Sequence, residues 1–143
     1  MGLNRNPKYF NFDKLGGDCT NFVSQCIFAG CNLMNYSKNN PWFYHSLNDR
    51  SPSWTGVEFL YKFLITNKSL GPFGEAVSQD KINVGDVIQL GDKNGKFYHA
   101  MLVTKITNNN VYTCSHTIDS LNRPLNSYIY EKIRYVHIES AQK

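Results

Sequence analysis

The hydrophobic and polar positions follow a helical period in the first part of the chain. The apolar positions at this spacing are Phe22, Val23, Cys26 and Ile27. They define one face of a helix. Asp18 precedes the stretch as an N-cap and Gly30 follows it as a C′ glycine, so we predict a helix between them. Cys19 then lies in the first turn of that helix.

The second half of the chain alternates apolar and polar positions in the manner of strands. We predict strands at 86–90, 97–106, 111–116 and 128–138, with turns at 93–96 and 107–110. Between the two halves, residues 32–56 read as a long irregular loop, and a second helix is predicted at about 55–67. This segregation predicts an α+β domain in which the Cys19 helix packs on an antiparallel, meandering sheet.

Length, composition and charge narrow the class of protein. With 143 residues, of which 41% are hydrophobic and 18% charged, the chain fits one globular domain over residues 1–143. The net charge of +4 comes from scattered lysines, so we expect no nucleic-acid partner. It would help approach to an anionic polymer such as a bacterial wall. No apolar stretch approaches the roughly 20 residues that span a bilayer, so we expect no membrane insertion, and we expect a monomer.

The four cysteines argue against a metal site. They are Cys19, Cys26, Cys31 and Cys114. No C-x-x-C pair occurs among them, so neither a zinc site nor another metal or cofactor is expected. Cys19 and Cys26 would lie about 10 Å apart along one helix, beyond disulfide distance. A disulfide between Cys31 and Cys114 stays open, and the default is free thiols.

Cys19 is the candidate nucleophile, because the N-terminus of a helix favours a thiolate. His99 is the candidate base, since it begins the apolar strand Ala100–Val103, where a polar imidazole is not expected unless it has a function. His116 ends the following strand. If the loop at 107–110 has an even number of residues, His99 and His116 project from one face of the sheet. An odd loop without a bulge would separate them.

The stretch from Gly16 to Gln25, GGDCTNFVSQ, resembles the signature of an amidase domain found in clostridial and bacillar proteins. Further segments follow in the order of that family: 6–10, 53–56, 84–88, 98–99 and 115–119. The resemblance implies a papain-like fold of the NlpC and CHAP cell-wall hydrolase group. It implies that Cys19 is the nucleophile, His99 the base and His116 the group that orients the imidazole. Asp119 is the alternative for that third role.

Other residues are candidates for contacts with the substrate. The Cys19 backbone N–H is expected to hold the oxyanion, with Tyr98 or Asn21 as side-chain donors and Asp18 beside them. The aromatic residues that could line a substrate groove, or equally cover the core, are Trp42, Phe43, Tyr44 and Trp54. The family's helix before the segment 6–10 is absent, and the start carries no hydrophobic signal region. We therefore expect an excised piece of a longer protein.

Three functions remain in competition. The first is a cysteine amidase or endopeptidase that cuts an amide bond in the peptide part of peptidoglycan through a thioester, as an endolysin or autolysin would. It would act outside the cell or in the wall, after secretion or after delivery by a phage. The second is a transglutaminase-like acyltransferase or effector, which Asp119 as third member would favour. The third is a wall-binding module that has lost turnover.

Overall fold

The structure, a computed structural model, describes residues 5–108, 110–117 and 119–142, except for the side chains of 140–142. Met1 and Gly2 at the start, Asn109 in the predicted turn and Ile118 in the family segment lie outside the described residues. The described helices are α1 (Cys19–Cys31), α2 (Pro52–Thr55) and α3 (Val57–Thr66). None of them has both the length and the apolar character needed to cross a membrane.

Helix α1 confirms the predicted helix but ends later than expected. It continues through Gly30, and Asn32 ends it in the left-handed conformation at φ 55°. Asparagine tolerates this conformation, so a glycine is not required there. The predicted loop at 32–56 contains α2 and a short hairpin of β1 (Tyr44–Ser46) and β2 (Asp49–Arg50).

Six further strands form one antiparallel sheet in the order β3-β8-β4-β5-β6-β7. They are β3 (Gly71–Val77), β4 (Val87–Gly91), β5 (Phe97–Ile106), β6 (Val111–Ser115), β7 (Ser120–Pro124) and β8 (Lys132–Gln142). Strands β4 to β6 match three strands of the predicted meander, and β7, which was not predicted, extends it. Strand β8 instead returns to lie between β3 and β4, so the meander is only part of the topology.

The two strands that the sequence pattern missed are the two edges of the sheet. Strand β3 contains Pro72 and two glycines, and β7 ends in Pro124. Proline is tolerated at sheet edges because one side of an edge strand makes no ladder hydrogen bonds. Gly74 is needed in β3, because a Cβ there would lie 2.4 Å from the carbonyl oxygen of His137. Because glycine and proline are typical of turns, the sequence pattern did not indicate strands at these positions.

Both faces of the sheet are covered, and β5 contributes to both cores. On one face, Ala100 and Leu102 pack with the three helices. On the other face, Met101 and Val103 pack with β4 and with Leu125 and Tyr128 of the segment that follows β7. Because successive side chains of a strand point to opposite faces, even-numbered positions from 100 to 102 face α1 and odd-numbered positions from 99 to 103 face away.

Candidate functional site

Cys19 begins helix α1 and is nearly buried. The preceding glycines, Gly16 and Gly17, have φ values of 84° and 101°, which bring the chain sharply into the helix. The Cys19 side chain belongs to the core on the helix side, and the residue is 8% exposed. Burial raises the pKa of its thiol, although hydrogen bonds from the Ala100 backbone and the Thr20 side chain act in the opposite direction. The resting group is therefore a neutral thiol rather than the thiolate that a helix N-terminus by itself would favour.

Asp18 occupies the N-cap position but does not cap the helix. Its side chain makes no capping hydrogen bond. Instead, Oδ1 accepts hydrogen bonds from the Phe12 backbone N–H at 2.9 Å and from Asn21 Nδ2 at 2.8 Å. Oδ2 lies 2.9 Å from His116 Nδ1. Burial alone would raise the pKa of this carboxyl, but the hydrogen bonds from His116, Asn21 and Phe12 together lower it. Asp18 is thus a buried carboxylate directed at an imidazole.

His116 lies against the first turns of α1, on the same side of the sheet as Cys19. Its ring centroid is 4.0 Å from that of Phe22, and the residue is 1% exposed. Since a carboxylate only accepts, His116 Nδ1 carries the proton that bonds Asp18, and Nε2 presents a lone pair. Among the described residues, no hydrogen-bond partner contacts this buried Nε2. The imidazole is therefore oriented at one nitrogen, while the other nitrogen is buried without a described partner.

The Cys19 thiol contacts the Ala100 backbone N–H, but the His99 side chain points to the opposite face of the sheet, and this corrects the predicted pairing of the thiol with the imidazole. His99 pairs across the sheet with Leu90, a residue of the core away from the helices. Its ring lies 6.0 Å from that of Tyr128, which belongs to the same core. Burial lowers the pKa of His99 to about 4, with a smaller contribution from the charge of Arg123. His99 is thus a neutral, buried imidazole on the far face of the sheet.

A β-bulge explains why His99 and His116 face opposite sides. Beside the turn, Ile106 pairs with Val111 and Lys105 with Tyr112, as an even loop requires. The register then shifts between Val103 and Lys105, so that Thr104 is the extra residue. Because of this one-residue shift, side chains of β5 and β6 that would otherwise share one face of the sheet point to opposite faces beyond the bulge. The prediction that an even loop puts both histidines on one face is therefore wrong.

Arg5 connects the segments around Asp18 and was not recognised from the sequence. Its Nη2 lies 2.9 Å from Asp13 and 2.6 Å from Asp119, and its Nε lies 3.3 Å from Asp18. The Arg5 hydrogen bond is the main influence that lowers the pKa of the Asp119 carboxyl. Asp119 therefore serves this ion-pair network, and it does not orient His99. No local pattern around Arg5 signals this role, because its partners come from distant parts of the chain.

The turn after β6 is fixed to the same network through Thr117. Its hydroxyl accepts the Asp18 backbone N–H and donates to Asp13 Oδ1 at 3.0 Å. Thr117 itself has φ 80°, which is an outlier for a β-branched residue. Such strain persists only where surrounding contacts enforce it. These contacts hold His116 in place over Asp18.

Three of the four aromatic residues predicted to line a groove are core residues instead, and the fourth, Phe43, is half-buried. Trp42 and Trp54 are both 0% exposed, and Tyr44 is buried with them. Trp54 Nε1 donates to Asn21 Oδ1 at 3.0 Å, while Asn21 Nδ2 donates to Phe10 and Asp18. The Asn21 amide is therefore occupied by structural contacts and is not available to an oxyanion. Tyr98 is 47% exposed and lines the same cavity as His99, not the cavity beside His116.

A cavity of about 330 Å³ borders His116 and runs along one side of α1. Its lining residues are Arg5, Asn6, Phe22, Gln25, Cys26, Ala29 and His116. Within the described part of the chain, no group of acidic, histidine or cysteine side chains is arranged to hold a metal ion. All four cysteines are thiols, so the disulfide between Cys31 and Cys114 does not form.

Comparisons with known proteins agree with the resemblance carried by residues 16–25. A family described as "Putative amidase domain" matches residues 2–138. The chain belongs to this family. The amidase domain is also 30% identical over 122 residues to the uncharacterized protein YhbB of Bacillus subtilis, covering 83% of this chain and 38% of that protein. The chain thus spans well under half the length of this relative. No solved structure matches the amidase domain. The family indicates hydrolysis of amide bonds as the general reaction.

Proposed function

We propose that this domain is a cysteine-dependent amidase or endopeptidase that cuts an amide bond in the peptide part of bacterial peptidoglycan. Cys19 is the nucleophile, His116 the base and Asp18 the residue that orients the base. The observation that carries the proposal is the 2.9 Å contact of His116 with Asp18, the residue that precedes Cys19, with His116 Nε2 unpartnered among the described residues. We further propose that residues 1–143 form one domain of the papain-like NlpC and CHAP group.

The reaction starts from a neutral thiol, since burial raises the pKa of Cys19. His116 Nε2 removes the thiol proton as Sγ bonds to the carbonyl carbon. The resulting imidazolium is stabilised by the Asp18 carboxylate. The oxyanion is held by the Cys19 backbone N–H at the start of α1. No hydrogen bond between Sγ and Nε2 occurs among the described contacts, and the two atoms close on each other in the substrate complex.

The intermediate then collapses in the direction of a thioester. The C–N bond breaks, and His116 gives its proton to the departing amine. Water next attacks the thioester carbonyl carbon while His116 takes a proton from that water. The C–S bond breaks, the thiol regains a proton from His116, and the carboxylic acid product leaves. Each proton that His116 accepts is thus returned within the same half-reaction.

A bacterial-wall substrate fits the charge and the shape of the domain. The net charge of +4 favours approach to an anionic polymer. The cavity along α1, which Phe22 and Gln25 line beside His116, has room for one side chain of a wall peptide. The site of action would be the cell wall, reached by secretion or by delivery from a phage-infected cytoplasm.

Digestion of purified peptidoglycan, with mass spectrometry of the new termini, tests this proposal. Cys19→Ala and His116→Gln are expected to abolish product formation. Cys31→Ala is the matched control, since Cys31 ends the same helix and its thiol bonds the Leu33 carbonyl, away from the proposed site. Unchanged digestion by Cys19→Ala would exclude Cys19 as the nucleophile, whereas binding of peptidoglycan without any digestion by the parent chain would indicate a binding module. Full loss in His99→Gln with activity retained in His116→Gln would overturn the assignment of the base.

Asp119 as the third member of the site would have favoured the acyltransferase alternative. Asp119 instead bonds Arg5 with both carboxylate oxygens, at 2.6 Å and 3.1 Å, and also accepts the Thr117 backbone N–H. No observation therefore favours transfer to an amine over transfer to water, and hydrolysis is the reaction proposed.

A further inference from the structure

A second cavity lies on the face of the sheet away from Cys19, around the imidazole that the proposed mechanism does not use. Its volume is about 320 Å³, within the range of small-molecule sites. Its lining residues are Leu90, Tyr98, His99, Arg123, Ser127, Tyr128 and Ile129. They come from β4, β5, β7 and the segment that follows β7. None of them lines the cavity beside His116.

His99 lines this cavity and has an unused polar atom just beneath the cavity surface. The residue is 4% exposed, and no hydrogen-bond partner contacts its buried Nε2 in the part of the chain described here. Buried polar atoms in folded proteins are nearly always hydrogen-bonded, so an orphan of this kind needs an explanation. A group brought by a ligand would supply the missing partner. The low pKa of His99 keeps this imidazole neutral, so it can donate or accept one hydrogen bond there.

Arg123 places a positive charge at the same cavity. Its guanidinium lies 3.8 Å from the centroid of the Tyr128 ring. Nε donates to Ser127 Oγ at 2.9 Å and Nη2 donates to the Ser127 carbonyl at 3.1 Å. A guanidinium has five N–H donors, so these two bonds hold Arg123 in place and leave donors for a ligand. Within the described residues, no carboxylate forms an ion pair with Arg123.

The apolar walls define the rest of the ligand. Leu90 and the Tyr128 ring form buried surfaces, while Ile129 is 96% exposed and Tyr98 is about half exposed at the rim. A planar or branched apolar group would cover these surfaces and remove Ile129 from water. The uncompensated cation selects an anionic head group, and the planar fork of arginine matches a carboxylate.

We propose that this cavity is a binding site for a small organic carboxylate, whose head group binds Arg123 and His99 and whose apolar part packs on Tyr128, Leu90 and Ile129. The site is separate from the proposed hydrolase site, because the sheet lies between them. The proposed ligand binding therefore does not depend on whether Cys19 is catalytic.

Benzoate is the probe, and its uncharged isostere benzamide is the control ligand. Titration followed by NMR and calorimetry is expected to show saturable benzoate binding, with shifts of the His99 and Tyr128 ring resonances. Benzamide is expected to bind about tenfold to a hundredfold more weakly, because it lacks the charge that pairs with Arg123. Inorganic phosphate is expected to bind more weakly than benzoate, since it has no apolar part.

Arg123→Gln is expected to weaken benzoate binding by about tenfold or more. Lys105→Gln is the matched control, because it removes a cation that lies over another tyrosine ring, that of Tyr112, outside the cavity. Cys19→Ala should bind benzoate as the parent chain does, so failure of the hydrolase proposal would leave this one intact. Equal affinity for benzoate and benzamide, an unchanged affinity in Arg123→Gln, or no saturable binding would overturn the proposal.

Discussion

Replacing Asp18 by asparagine keeps the shape of the side chain but removes its charge. The amide oxygen can still accept the Phe12 N–H and the Asn21 side chain, which now bond Oδ1 at 2.9 Å and 2.8 Å. The new NH₂ group takes the place of Oδ2, which faces His116 Nδ1 at 2.9 Å. Two donors cannot share one hydrogen bond, so His116 must shift its proton from Nδ1 to Nε2. The nitrogen proposed to remove the Cys19 proton then no longer has a free lone pair.

The expected effect on activity is larger than the effect on stability. Loss of the charge-assisted bond to His116 and of the ion pair with Arg5 should cost about 1–3 kcal/mol of unfolding free energy, because the Phe12 and Asn21 hydrogen bonds survive. A base held in the wrong tautomer costs a hydrolytic triad about 10²–10⁴-fold in kcat, so we expect a loss of that size. Asp18→Ala would be more destabilising, by about 3–5 kcal/mol, since it leaves the buried partners unpaired.

Three measurements examine the Asp18→Asn variant together. Urea denaturation measures the stability, ¹⁵N NMR of the imidazole reports the His116 tautomer, and peptidoglycan digestion measures the rate. Asp119→Asn is the matched control, because Asp119 also pairs with Arg5 but has no hydrogen bond to the imidazole among those described. A folded Asp18→Asn protein that digests at the parent rate, or whose His116 keeps its proton on Nδ1, would refute the reasoning.

Three other expectations concern stability. Trp54→Phe should lose about 1–3 kcal/mol in urea denaturation, because Asn21 Oδ1 loses its indole donor; weaker binding of wall peptides without such a loss would instead support the groove interpretation. The hydrogen bond to Asp86 raises the pKa of His137, so this pair stabilises the fold fully below about pH 6.5 and loses its effect as pH rises through the raised pKa. His137→Gln should reduce the dependence of the unfolding free energy on pH in that range. His99, with its pKa lowered to about 4, should destabilise the fold by about 3 kcal/mol as pH falls from 6.5 to 4, and His99→Gln should remove this part of the acid sensitivity.

Local patterns predicted the elements well where one face of an element is buried. Helix α1 and strand β5 follow directly from apolar periodicity, and β5 begins and ends where predicted. The edge strands β3 and β7 were missed, because glycine and proline are compatible with an edge but also typical of turns. The burial of Trp42 and Trp54 could not be predicted, since aromatic residues in an irregular segment fit a groove and a core equally.

The sequence by itself determined that a cysteine starts a helix, that histidines lie on two neighbouring strands, and that the chain resembles an amidase domain. Only the tertiary structure decided which histidine lies on the side of the thiol. One extra residue at Thr104 turns His99 away, and Asp18 bonds His116 instead of capping its own helix. Both outcomes depend on non-local contacts. A bulge shifts the register of a strand without changing its apolar pattern, and the partner of a polar side chain is set only when distant segments of the chain come together.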